Sequence, residues 1–219
     1  VPDISIGIGL SADPSAVIGY PASRSGATVL ELGNEARVRG GTTIYLGSRI
    51  GARFNTGHNV VIREQCSIGD DVSVWSNSVI DYSCRIGNGV KIHSNCYVAQ
   101  YTEIEDGAFL APGVTIANDL YPGQEASAEL MSGPWIGAGA QVGVNVTILP
   151  YVRIGAGSLI GAGAVVVADV PEGAVVYGNP ARVRGRVSDL TAIERRVEAV
   201  GASASRFRRT ASDHPVSAR

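Results

Sequence analysis

Aromatic residues are scarce in this chain, 6% of its 219 residues, and so are cysteine (three) and methionine (one). A conventional globule fills its centre with Phe, Tyr and Trp, so this interior must be narrow and packed with Val, Ile, Ala and other small side chains. Unbalanced charge is lacking too: 18 Lys and Arg face 20 Asp and Glu, a net charge of −2. That leaves no basic field for nucleic acid or an anionic membrane surface. No apolar run approaches the roughly 20 residues a membrane helix requires. The opening Val1-Pro2-Asp3-Ile4-Ser5 lacks the basic n-region of a signal peptide. The expectation is a cytoplasmic chain that binds neither nucleic acid nor membrane. Cys66, Cys84 and Cys96 are odd in number and at no metal-ligand spacing, which argues against a disulfide framework or a thiolate metal site.

What the chain has in abundance is glycine, 28 residues, and aliphatic side chains at a fixed interval. Stepping by six from Leu32 gives Val38, Ile44, Ile50, Thr56, Ile62, Ile68, Val74, Ile80, Ile86, Ile92, Val98, Ile104, Leu110 and Ile116. After a break the series resumes at Ile136, Val142, Ile148, Ile154, Ile160 and Val166. Only Thr56 among them is not Ile, Leu or Val. Two residues before many of these positions stands a small or branched side chain, as at Ser48, Cys66, Val72, Ser78, Cys84 and Cys96. Residues i and i−2 of a strand point to one face, so each pair is an inward-facing pair. A six-residue unit holds one short strand and one turn. Three such units close one triangular coil, with parallel strands stacked on each face.

The turns agree with this register. Gly33, Gly51, Gly69, Gly87, Gly137 and Gly155 follow the inward aliphatic of one face. Three residues past the inward position of the next face stand Asn59, Asn77, Asn95, Gly113, Asn145 and Gly163. Asn and Gly are the two types that tolerate left-handed backbone. The fold class is therefore all-β, a parallel β-helix of hexapeptide repeats. The cysteines fall at small inward positions, where they serve as small hydrophobes.

The breaks divide the chain. Residues 1–31 lack a continuous register and are expected to cap the first coil of a β-helix domain over 32–187. Within that domain residues 117–135 form an extruded corner loop, because the inward position due at 122 arrives at Ile136. A loop of that length from so regular a rod points to function. In 188–219, Leu190, Ile193 and Val197 fall at helical spacing and predict a short C-terminal helix, followed by a disordered tail.

Three stretches carry a family resemblance: Thr56-Gly57-His58-Asn59-Val60-Val61-Ile62-Arg63-Glu64, Asn118-Asp119-Leu120-Tyr121-Pro122 and Gly178-Asn179-Pro180-Ala181. They resemble bacterial nucleotide-sugar N-acetyltransferases of the hexapeptide-repeat superfamily. The resemblance implies left-handed winding of the coils, a homotrimer, and acetyl-CoA as co-substrate in a groove between subunits. It also implies an acceptor amine on a nucleotide-linked amino sugar. Proteins of this kind often carry Gln where His93 stands. They also tend to have Thr-Lys where Val167-Ala168 stands, with the Lys serving CoA phosphates; here Arg182 and Arg184 would take that role. Gly143, Ala162 and Gly163 would line the pantetheine groove, and Asn118, Asp119 and Tyr121 would meet the acceptor.

Acetyl transfer to an amine requires an unprotonated nucleophile, a positioned thioester and stabilisation of the oxyanion. A general base contributes about 10²–10⁴-fold, and histidine is the side chain suited to it near neutral pH. His93 directly follows an inward aliphatic and should project from a corner, either as the base or as a solvated turn residue. Asn118 and Asp119 either bind the acceptor or form a turn at the loop's root. Three alternatives stand beside this reading. An O-acetyltransferase acting on a sugar or antibiotic hydroxyl would share the fold, as would a non-catalytic scaffold. A metal-dependent carbonic anhydrase would need three histidine ligands. The rod supplies only His58 and His93, so no metal is expected.

Overall fold

The computed structural model describes residues 3–23 and 26–190. They form a left-handed parallel β-helix of three sheets, with eight, ten and eight strands. We call these the first, second and third faces in chain order. Most strands are two residues long, such as Arg85–Ile86, Lys91–Ile92 and Tyr97–Val98, and each is followed by a turn. Every inward aliphatic of the six-residue series is buried, from Leu32 to Val166, and Thr56 with them. Like stacks on like along each face: Ile68 pairs with Ile86 and Ile86 with Ile104. The backbone is satisfied from coil to coil, as where Ser67 N donates to Cys84 O at 2.9 Å and Gly69 N to Ile86 O at 2.8 Å. Among the described residues there is no α-helix, and no helix long and apolar enough to cross a membrane.

Two kinds of corner residue hold the coils together. Asn59, Asn77, Asn95 and Asn145 all have φ between 55 and 61°, left-handed as their side-chain type allows. Glycines such as Gly51 serve a different end, because a Cβ there would stand 2.6 Å from the carbonyl carbon of Gly69 in the next coil. The cysteines are buried and free. Contact with the Cys66 thiol and burial push the Cys84 thiol well above its usual range, so it is an inert core group.

The N-terminal residues differ from the expected cap over 1–31. Asp3–Ile6, Ser11–Ala12 and Val17–Tyr20 are themselves a coil, each strand parallel to one of the next coil. Ile6 pairs with Leu32 and Ile18 with Ile44, an interval longer than the three hexads that separate partners such as Ile50 and Ile68. The segment between Tyr20 and Val29 carries the excess and shifts the register, and this hid the first coil from a six-residue count. A second insertion follows the third face. Ile116 pairs with Ile148, a little over five hexads on instead of three, so the excess is extruded at the corner between the third and first faces. Trp135 is not part of that loop, since it begins the strand Trp135–Ile136.

At the far end Ala174–Tyr177 stacks parallel on Leu159–Ile160, and Arg182–Arg186 returns antiparallel beside it. Val187–Asp189 makes a single 3-10 turn. The helix and tail expected beyond Leu190 lie outside the described residues.

Candidate functional site

The residue after each inward aliphatic points out of the rod at a corner, so residues a coil apart form an outward column. At the corner closing the second face this column runs Trp75, His93, Ala111, Gly143, Gly161 and Tyr177. His93 is half-buried within it. Its imidazole stacks on Trp75 at 4.5 Å with 17° between the planes, and Phe109 packs against it at 4.7 Å. No hydrogen bond holds the ring among the described residues. The backbone N of His93 donates to Leu110 O at 2.9 Å. His58 is exposed, one turn residue away from Asn59.

Below His93 the column narrows to small side chains. A Cβ on Gly143 would lie 2.7 Å from Ala162 N, and one on Gly161 would lie 2.7 Å from Tyr177 Cβ. Both glycines are required by the close approach of the next coil, and neither puts a side chain over the main chain along this stretch. Gly143 N donates to Ile160 O at 2.9 Å and Gly163 N to Val144 O at 2.8 Å. Those amides are committed to the coil ladder and cannot serve as ligand donors. The exposed Ala162 N–H makes no such bond. At the end of the column the Arg184 guanidinium lies over Tyr177, 5.4 Å from the ring centre, and Arg182 is exposed beside it. From His93 to Tyr177 is four coils, roughly 19 Å at about 4.8 Å per strand spacing.

The loop residues occupy another corner, the one closing the third face. Asn118 is half-buried at the loop's root, and its Nδ2 donates to Gln100 Oε1 at 2.6 Å. Gln100 Nε2 donates in turn to Asp81 Oδ2 at 2.6 Å, which also receives Tyr97 Oη at 2.8 Å. Tyr82 N donates to Asp81 Oδ1 at 2.8 Å, and Arg63 Nη1 lies 3.8 Å from it. Arg63 Nε also donates to Glu64 at 2.9 Å, a carboxylate fully buried beneath it. Burial, then the hydrogen bond to Asp81, pushes the Tyr97 phenol up to about 12. Asp119 accepts from Tyr121 N at 2.8 Å, an Asx turn that leaves the Tyr121 ring exposed. Tyr151 Oη donates to Leu130 O and ties the loop back to the rod.

Within one chain, then, His93 and the donor-side residues Gly143, Ala162, Gly163, Arg182 and Arg184 share one end of the second face. Asn118, Asp119 and Tyr121 stand at a different corner. Sequence reasoning missed Trp75, Phe109, Asp81, Tyr97 and Gln100. A signal existed for Gln100: Glu64, Tyr82, Gln100 and Asn118 recur once per coil, each two residues past an inward position, as a polar column. Among the described residues no group of three His, Cys, Asp or Glu side chains is placed to hold a metal ion.

Comparison with known proteins agrees with the repeat. The pattern of the bacterial transferase hexapeptide family (six repeats) matches residues 47–81, 83–118 and 133–168. Serine acetyltransferase 2 of Arabidopsis thaliana is 40% identical over 80 residues, 36% of this chain and 25% of that protein. The 2,3,4,5-tetrahydropyridine-2,6-dicarboxylate N-acetyltransferase of Staphylococcus aureus (strain JH9) is 49% identical over 49 residues, 22% of this chain and 20% of that one. The chain thus spans a quarter or less of the length of these two relatives. The UDP-N-acetylglucosamine acyltransferase of Campylobacter jejuni superposes with a TM-score of 0.54 at 17% identity, over 91% of this chain and 86% of the other, a likeness of fold. The chain carries the repeat of the bacterial transferase hexapeptide family over just under half of its length, on a left-handed parallel β-helix.

Proposed function

We propose that this protein transfers the acetyl group of acetyl-CoA to the amino group of a nucleotide-linked amino sugar. The observation that carries the reading is the column from His93 to Arg184. It offers a strip of about 19 Å, with only Ala111, Gly143 and Gly161 between its end residues, a length suited to an extended pantetheine arm, with guanidinium groups at its far end for phosphate. The thioester then lies beside His93. The amine nitrogen attacks the thioester carbonyl, the carbonyl oxygen takes up the charge, and the C–S bond breaks to release CoA thiolate. His93 accepts the proton lost by the attacking nitrogen, its ring held in place by Trp75 and Phe109. Asn118, with Asp119 and Tyr121, receives the acceptor sugar. The relatives named as acetyltransferases support the donor, and the structural neighbour named for a UDP-sugar supports the acceptor class.

Because His93 and Asn118 stand at different corners, one site holding both draws them from two chains. We infer a homotrimer, in which the second-face corner of one subunit meets the loop of its neighbour. The test is purified protein with acetyl-CoA and a panel of UDP- and dTDP-aminosugars, alongside the same sugars bearing hydroxyl in place of amine. Thiol release and product mass are followed. Acetylation of amines alone upholds the reading, whereas turnover confined to the hydroxyl set makes it an O-acetyltransferase.

A further inference from the structure

We infer that Asp81 and Gln100 are positioning residues that fix the side-chain amide of Asn118 with its oxygen facing outward, so that the loop presents an acceptor to the N–H of an incoming amine. This deepens the acyl-transfer reading above and rests on it. A side-chain amide has two orientations, and nothing local to Asn118 selects one. The selection comes from three residues joined across three coils. The Asp81 carboxylate takes three hydrogen bonds, from Tyr97 Oη, Gln100 Nε2 and Tyr82 N, and sits 3.8 Å from the Arg63 guanidinium. Surrounded in this way, it accepts and does not donate. Gln100 must therefore turn its Nε2 to Asp81, at 2.6 Å, which leaves Oε1 toward Asn118. Asn118 must then turn its Nδ2 to Gln100, also at 2.6 Å. Its Oδ1 is the one atom of the relay left over, and it makes no hydrogen bond among the described residues. Asp81 is 7% exposed while Asn118 is half-buried, so the relay runs from a dry anchor to the wetter root of the loop.

The polarity of the relay can be reversed, which separates it from a merely structural role. Asp81→Asn puts an NH2 group where Gln100 finds a carboxylate. Asn118→Asp removes the donor that Gln100 accepts. Asn118→Asp alone leaves two acceptors facing each other, since Asp81 holds Gln100 in place, whereas Asp81→Asn alone lets the whole relay flip and turns the Asn118 NH2 outward. Together they permit a flipped Gln100, which accepts from position 81 and donates to position 118, where the second carboxylate oxygen still faces out. Asn118→Asp should unfold at a lower temperature than the parent, and the double variant should regain most of that loss. With acetyl-CoA and the UDP- and dTDP-aminosugar panel, each single variant should lose about tenfold or more in kcat, with the KM for acetyl-CoA within about twofold. The double variant should return to within a few-fold of the parent. Gln100→Met, which keeps the length and removes both bonds, should lower kcat in a chain that still folds. Losses in unfolding temperature that simply add in the double variant overturn the relay, whether or not the protein proves to be an acetyltransferase. Thermal recovery without recovery of kcat overturns its role in the reaction. A parent inactive on every amine, with thermal recovery intact, sinks the acyl-transfer reading and the amine-facing role with it.

Discussion

The imidazole of His93 lies flat on the indole of Trp75, ring centres 4.5 Å apart and planes 17° apart, with Phe109 against it from the next coil. The stack restricts the plane of the ring at an open corner, and its nitrogens make no hydrogen bond among the described residues. That is a suitable setting for a base whose proton comes from a ligand. Replacement of His93 by Asn should lower kcat by at least about 10²-fold with little change in the KM for acetyl-CoA. Trp75→Leu should cost less, because it loosens the ring without removing it. Near-normal turnover in His93→Asn, together with a collapse in Asn118→Ala, would mean that the amine arrives already deprotonated and is held by the loop.

At the other end of the column, Arg182→Ala and Arg184→Ala together should weaken CoA more than dephospho-CoA, since the lost charge pairs chiefly with the ribose phosphate. Titration calorimetry with the two ligands measures the difference. Equal weakening would remove both arginines from the phosphate site.

The Tyr97 phenol should titrate late. Burial and the bond to Asp81 raise it to about 12, above the ordinary tyrosine value, so the folded state favours the neutral form. Its contribution to stability is complete below about pH 10 and is lost as pH rises toward 12. Absorbance near the phenolate band should show one tyrosine titrating above the others, and Asp81→Asn should bring it down. A Tyr97→Phe variant that leaves the late component in place would assign it elsewhere.

The rod was legible because its signal is strictly periodic. The inward aliphatic series and the Asn column at 59, 77, 95 and 145 follow directly from a strand of period two closed by a left-handed turn. The first coil was not legible, because the insertion between Tyr20 and Val29 moves Ile6, Ala12 and Ile18 out of phase with Leu32. The site was legible in part. His93, Asn118 and the arginines announce themselves by residue type. Asp81, Gln100 and Tyr97 look like ordinary outward polar residues until stacking brings positions 81, 100 and 118 into hydrogen-bond range. Contacts between coils depend on outward rotamers, which a six-residue period does not encode.

The tight corners offer a test of the packing itself. A Cβ at Gly51 would crowd the Asp70 carboxylate, which can swing away, and the Gly69 backbone at 2.6 Å, which cannot. Gly51→Ala should destabilise the rod by about 1–3 kcal/mol, the usual cost of overpacking. Chemical denaturation measures it, and an unchanged midpoint would show that the coils can part at that corner.

The assembly is open to direct weighing. Light scattering at micromolar concentration should give three times the chain mass, and a monomer that turns over acetyl-CoA would place the whole site on one subunit.

The central claim is that an amine takes an acyl group from CoA on this rod. Acetyl-CoA labelled with ¹³C at its carbonyl, mixed with the protein and UDP- or dTDP-aminosugars, should yield a product carrying the label in an amide, with one thiol released for each. Thiol release no faster than the protein-free blank with every acceptor, and no saturable binding of CoA, would contradict it.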